Sequence, residues 1–90
     1  MSVVRQLEII NVKGLHARAS AKLVEVVEAH QAECTVRREG LDAAGDSIMG
    51  LLMLAAAYGT FIEVETSGPD AEALAAAIAR LVANKFEEDQ

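Results

Sequence analysis

The order of apolar and polar residues along the chain predicts alternating strands and helices. Residues 3–10 alternate loosely and are rich in β-branched side chains, which predicts a strand before the turn-like residues NVKG. From His16 to about Glu28, apolar residues recur at three- and four-residue spacing with charged residues between them, as in an amphipathic helix. Residues 33–39 and 41–44 then have the composition of two short strands joined by a turn at Gly40.

The second half of the chain continues this alternation. Ser47 is a typical helix-start residue and predicts a helix to about Ala57. Residues 60–66 alternate with period two, and Asp70 is predicted to cap a last helix. The order βαββαβα has no linker or repeat. It predicts a single α+β domain over residues 1–90, a two-layer open-faced sandwich with three helices on one face of a four-stranded antiparallel sheet.

Composition narrows the class of protein. Hydrophobic residues make up 52% of the chain, which is enough for one compact core. No apolar run approaches the roughly 20 residues that span a bilayer, and the N-terminal residues lack the layout of a signal peptide, so we expect a cytoplasmic protein with no membrane contact. The lone Cys34 is expected in the core. His30 and Cys34 lack metal-ligand geometry and have no second pair of ligands, so we expect no metal or cofactor.

The net charge of −6 is unevenly distributed. Residues 1–40 hold six Lys and Arg against five Asp and Glu, whereas residues 41–90 hold two against nine. This balance argues against nucleic-acid binding, which needs clustered basic residues. Lys13, Arg18 and Lys22 nevertheless surround His16 in the sequence and predict a local positive site for an anion or an acidic partner.

The start of the first helix breaks a local rule. Histidine is a poor N-cap residue, so the backbone N–H groups of Ala17, Arg18 and Ala19 are predicted to lack a side-chain acceptor. Such groups, with the positive end of the helix dipole, form an anion site. His16 could supply a nucleophilic nitrogen and Arg18 could hold phosphate oxygens. The alternative is a structural His16, with Asn11 or water capping the helix. No general acid or base is predicted beside His16.

The segment Gly14-Leu15-His16-Ala17-Arg18 resembles the active-site signature of the HPr family, the histidine-containing phosphocarriers of the phosphoenolpyruvate-dependent phosphotransferase system. The resemblance covers essentially the whole chain and includes residues 47–51 and 68–70. It implies that enzyme I phosphorylates His16 on Nδ1, giving a pros-phosphohistidine, and that an enzyme IIA component takes the group. It also implies that Arg18 stabilises the phosphate. Many members have proline where this chain has Ala19, a better helix former.

The resemblance implies a second site at Ser47, which is similar to a serine that HPr kinase/phosphorylase modifies in some bacteria. Asp46 precedes it where many such members carry a basic residue. Without that modification, Ser47 would serve only as the N-cap of the second helix.

We also predict a docking surface on the first two helices, because the second helix lacks a clean polar face. Its predicted residues are Ala19, Ser20, Ile48, Met49, Leu51 and Leu52.

These features favour a monomeric phosphoryl carrier, not an independent enzyme, because the chain has a phosphoacceptor but neither a nucleotide loop nor an acid–base pair. The resemblance implies enzyme I, enzyme IIA proteins, HPr kinase/phosphorylase and regulatory targets as partners, in sugar uptake or metabolic regulation. Residues 16–23, HARASAKL, are similar to the same segment of carriers from regulatory branches of the phosphotransferase system, including nitrogen-related branches. The competing class is a non-catalytic α+β ligand-binding or interaction module.

Overall fold

The computed structural model describes residues 2–90 and confirms the predicted order of elements. The strands and helices are β1 (Ser2–Glu8), α1 (Ala17–Glu28), β2 (Glu33–Arg38), β3 (Leu41–Ala44), α2 (Ile48–Met53), β4 (Phe61–Ser67) and α3 (Ala71–Ala83). The four strands form one antiparallel sheet in the order β1-β4-β2-β3. The α+β open-faced sandwich expected from the sequence is therefore the observed fold.

The core lies between the inner face of the sheet and the helices. In β4, the inward positions Ile62, Val64 and Thr66 are each at most 1% exposed, which agrees with the period-two alternation of this segment. Their helical counterparts on α3 are also buried, among them Leu74 and Ile78. Because aliphatic side chains fill this space from both layers, the site at the start of α1 rests on a rigid base.

Two predicted helix features are wrong in detail. Helix α2 ends at Met53, not near Ala57, and Ala55 adopts a left-handed backbone with φ of 50° that cannot continue the helix. Asp70 occupies the N-cap position of α3, but its side chain makes no cap hydrogen bond. It accepts a bond from the N–H of Gln31 instead, over 2.7 Å, and so fastens the end of α1 to the start of α3.

The chain after α3 forms a single left-handed turn at Lys85–Glu87, where all three residues have positive φ. Such backbone costs a non-glycine residue about 1–2 kcal/mol. The aromatic ring of Phe86, which is fully buried in the core, offsets part of this cost. The turn reverses the chain and sends residues 88–90 back toward the start of α1.

Candidate functional site

His16 occupies the N-cap position of α1 in extended backbone, with φ of −82° and ψ of −175°. Within residues 2–90, no side chain accepts a hydrogen bond at this cap. The unpaired first-turn N–H groups include those of Ala17 and Arg18, and they point out of the helix toward solvent or an anion. The side chain of His16 is 26% exposed, so its ring can be reached from outside.

The backbone turn before His16 is locked against the segment that follows α2. Gly14 has φ of 67°, and a Cβ there would lie 2.5 Å from the carbonyl oxygen of Ala56. The N–H of Leu15 donates to that same oxygen over 2.8 Å, and the Leu15 side chain is buried. Glycine is required here both for the left-handed backbone and for the close approach. The position of His16 therefore depends on two elements that are distant in sequence.

Asn11 does not cap α1, which was one alternative left open by the sequence. It is fully buried, and its Nδ2 donates to the carbonyl oxygen of Gly14 over 2.7 Å and to Oε1 of Glu88 over 3.1 Å. Asn11 thus supports the turn that carries His16 and holds a carboxylate near it.

Glu88, which carries that carboxylate, is the site residue that the sequence analysis missed. Oε2 of Glu88 lies 2.5 Å from Nε2 of His16, so a potential proton acceptor does stand beside the histidine. Partial burial acts to raise the pKa of Glu88. Hydrogen bonds from His16 and Asn11, with the positive charges of protonated His16 and Lys13, outweigh burial and hold this pKa below its usual value. Glu88 is therefore ionised at neutral pH.

A cavity of about 400 Å³ opens beside this pair. The three predicted cations Lys13, Arg18 and Lys22 all line it. Three acidic residues, Glu87 to Asp89, line it as well. The predicted local positive site is therefore a site of mixed charge, because the chain reversal after α3 brings the acidic C-terminal residues to it.

Arg18 is well placed to bind an anion. It is exposed, and none of the ion pairs found among residues 2–90 includes it, whereas Lys22 donates to Glu87 and to the carbonyl oxygen of Phe86. A free guanidinium beside the open N-terminus of α1 can donate two parallel hydrogen bonds to a phosphate. Together these groups can hold a phosphoryl group at the His16 ring.

Ser47 is the N-cap residue of α2, and its Oγ accepts a hydrogen bond from the N–H of Gly50 over 3.0 Å. The predicted capping role is therefore observed. The side chain is half-buried.

The predicted docking surface needs correction. Ala19, Ser20 and Leu51 are fully buried, because each lies on the inward face of its helix, and they cannot touch a partner. Ser20 also donates to the carbonyl oxygen of Leu15. The exposed apolar residues that remain on α2 are Ile48 at 40%, Met49 at 71%, Leu52 at 36% and Met53 at 72%. We refer to these four residues as the α2 apolar patch; Met53 was not in the predicted set.

Metal-ligating side chains do not cluster anywhere in residues 2–90, where no group of three or more His, Cys, Asp or Glu residues converges as a metal site. None of the helices in that range has both the length and the apolar character that crossing a bilayer requires.

Comparison with known proteins adds independent information. Residues 3–84 match the family model described as PTS HPr component phosphorylation site. The chain is 42% identical to phosphocarrier protein HPr of Cupriavidus necator over 86 residues, 96% of this chain and 97% of that protein. It is also 42% identical to phosphocarrier protein NPr of Escherichia coli K12 over 90 residues, 99% and 100% of the two chains.

Solved structures agree with the sequence relatives. The fold superposes on HPr-C-His from Thermoanaerobacter tengcongensis with a TM-score of 0.93 at 28% identity, covering 98% of this chain and 99% of that one. HPr from Bacillus anthracis gives a TM-score of 0.86 at 31% identity, with 90% and 96% covered. With the family model spanning most of its length, the chain belongs to the HPr family, the phosphocarriers of the phosphotransferase system.

Proposed function

We propose that this phosphocarrier accepts its phosphoryl group on Nδ1 of His16 from phosphorylated enzyme I and passes it to an enzyme IIA protein. The observation that carries the proposal is the open N-terminus of α1 at His16, where the first-turn N–H groups have no side-chain cap. An anion there gains about 0.3–1 kcal/mol from the helix dipole. The HPr family model spans this segment and supports the assignment.

The transfer itself needs little from the carrier. The lone pair of Nδ1 attacks phosphorus, and the bond from phosphorus to the donor breaks with its electron pair remaining on the donor. Transfer to enzyme IIA is the same step with the carrier as leaving group. Arg18 neutralises charge on the phosphoryl oxygens during both steps, because its exposed guanidinium makes no ion pair within residues 2–90 and lines the adjacent cavity.

The decisive experiment is incubation with phosphoenolpyruvate and enzyme I. We expect one phosphate per chain, labile in acid and stable in base, as for a phosphohistidine. The His16→Ala variant should take up none, and His30→Ala serves as the matched control because it removes the other histidine. Phosphate uptake by His16→Ala would overturn the proposal. Binding to enzyme I without transfer, equal for wild type and His16→Ala, would favour the interaction module.

We propose a second, regulatory phosphorylation on Ser47. A phosphate there would lie at the start of α2, next to the α2 apolar patch, and would add up to two negative charges to a surface that partners contact. Because Ser47 Oγ already meets a first-turn N–H, the modification needs no change of fold.

The α2 apolar patch is the surface that we propose for docking of enzyme I and enzyme IIA. Four apolar side chains exposed on a helix of six residues give a concentrated contact area, and methionine adapts to different partner shapes.

The two relatives named HPr and NPr share the same 42% identity with this chain, so sequence identity does not decide between sugar uptake and regulation. That choice depends on which enzyme IIA accepts the phosphoryl group from the carrier. A transfer assay against each enzyme IIA of the host would identify the pathway.

A further inference from the structure

We propose that Glu88 is a positioning residue for phosphoryl transfer, holding the proton of a neutral His16 on Nε2 so that the lone pair remains on Nδ1. The inference rests on the proposed function of His16. Its basis is the direct contact between Oε2 of Glu88 and Nε2 of His16.

The chemistry follows from what each group can donate. An ionised carboxylate only accepts hydrogen bonds, so the ring nitrogen that faces it must carry the hydrogen. In a neutral imidazole the other nitrogen then carries the lone pair. The Glu88 contact therefore selects one of the two tautomers, the one in which Nδ1 is the nucleophile.

Both oxygens of the Glu88 carboxylate have hydrogen-bond partners. Oε1 accepts from the buried Nδ2 of Asn11, which also binds the carbonyl oxygen of Gly14 at the turn before His16. A single buried amide thus ties the carboxylate to the backbone that positions the histidine. Because Glu88 itself is only 13% exposed, water competes weakly for these bonds.

The C-terminal segment is anchored on each side of Glu88. On one side, Phe86 fills the core, and Lys22 donates to its carbonyl oxygen over 3.1 Å. On the other side, the carbonyl oxygen of Gln90 accepts from the N–H of Val12 over 2.9 Å. These contacts stabilise the left-handed backbone of Lys85–Glu87, and they place the Glu88 carboxylate beside the His16 ring.

The same contact favours the phosphorylated state of the ring. When Nδ1 forms its bond to phosphorus and Nε2 keeps its hydrogen, the imidazole ring becomes cationic. The Glu88 carboxylate compensates that charge through a charge-assisted hydrogen bond. Nothing is oxidised or reduced, and the proton on Nε2 stays in place throughout the transfer.

The test compares Glu88→Gln with wild type and with Glu25→Gln. Glutamine keeps the size of the side chain but can donate as well as accept, so it no longer imposes a tautomer. Glu25 is an exposed acid on α1 that belongs to none of the ion pairs found among residues 2–90 and does not line the cavity, which makes it the matched control. The two readouts are the ¹⁵N chemical shifts of the ring nitrogens at a pH where His16 is neutral, and the rate of phosphoryl uptake from phosphorylated enzyme I.

We expect the Nε2–H tautomer to dominate in wild type and in Glu25→Gln, and to be mixed in Glu88→Gln. Uptake by Glu88→Gln should slow about tenfold or more, the scale found when a carboxylate that orients a metal-bound histidine is replaced. A wild-type tautomer and rate in Glu88→Gln would overturn the inference, as would faster uptake, because the carboxylate would then hinder the reaction. Failure of the proposed function looks different: wild type itself would take up no phosphate on His16.

Discussion

Gly14 packs directly against the carbonyl oxygen of Ala56, 42 residues away, with a gap that leaves no room for a Cβ. The contact joins the turn before α1 to the segment that follows α2. It explains why His16 has a fixed position although it lies at the end of a loop, and it ties that position to the segment that follows α2.

The Gly14→Ala variant should be destabilised by about 2 kcal/mol or more, since the added Cβ would lie 2.5 Å from the Ala56 oxygen in a left-handed backbone. Gly40→Ala is the matched control, because Gly40 has φ of 81° but a Cβ added there would meet nothing within 4 Å. Urea denaturation measures the free energy of unfolding of both variants. Equal losses in the two variants would show that backbone strain alone accounts for the effect.

The Ser47→Ala variant should lose about 1 kcal/mol of stability, because the N–H of Gly50 loses its acceptor at the start of α2. For a domain of this size the melting temperature should fall by about 4–8 °C. With ATP and an HPr kinase, the acid-stable phosphate expected on wild type should also disappear.

Ser47→Asp separates the two roles of Ser47. Aspartate caps helices as well as serine does and favours the positive end of the helix dipole, so its stability should match wild type while it accepts no phosphate. Acid-stable phosphate in either variant would place the modification elsewhere, and its absence from wild type treated with the host's own kinase would refute the regulatory role.

Polar replacement of the α2 apolar patch should weaken partner binding without unfolding the protein. In Met49→Gln/Met53→Gln, two side chains exposed by more than 70% lose apolar contact area, so the dissociation constant for enzyme I should rise about tenfold. Titration calorimetry measures this dissociation constant. Val4→Gln is the control, because Val4 is 56% exposed on the outer face of the sheet. A rise of similar size in both variants would contradict docking at α2.

The free energy of unfolding should fall in acid, partly because a carboxylate on the outer face of the sheet loses its charge. Hydrogen bonds from Arg37 and Ser2 and the charge of Arg37 hold the pKa of Glu65 below its usual 4.5. A lowered folded-state pKa means that its stabilising contribution is present above about pH 4.5 and is lost as the pH falls through the folded-state value. Denaturation midpoints from pH 7 to pH 3 should show a plateau followed by a decline.

Arg37→Gln should make that decline shallower, because the pKa of Glu65 then returns toward its ordinary value in the folded state. Arg5→Gln is a suitable control, since Arg5 is exposed on β1 and belongs to none of the ion pairs found among residues 2–90. Identical acid slopes for wild type and Arg37→Gln would argue that other carboxylates dominate.

The sequence was informative wherever a local rule decides the structure. Period-two alternation over residues 60–66 predicted the strand β4, whose Ile62 and Val64 are buried in the structure. The poor N-cap at His16 was visible because capping depends on one side chain and the first turn. The sequence by itself therefore determined the order of elements, the fold class and the candidate phosphoacceptor.

Tertiary structure decided what depends on contacts between distant segments. Ala19, Ser20 and Leu51 lie on the inward faces of α1 and α2, and the packing of these helices in the core removes them from the surface. Glu88 belongs to an acidic C-terminal tail with no periodicity to place it. The buried ring of Phe86 and a left-handed turn bring it to His16 across 72 residues. Such long-range pairing has no local sequence signal, because the energy that specifies it comes from the core, not from the segment itself.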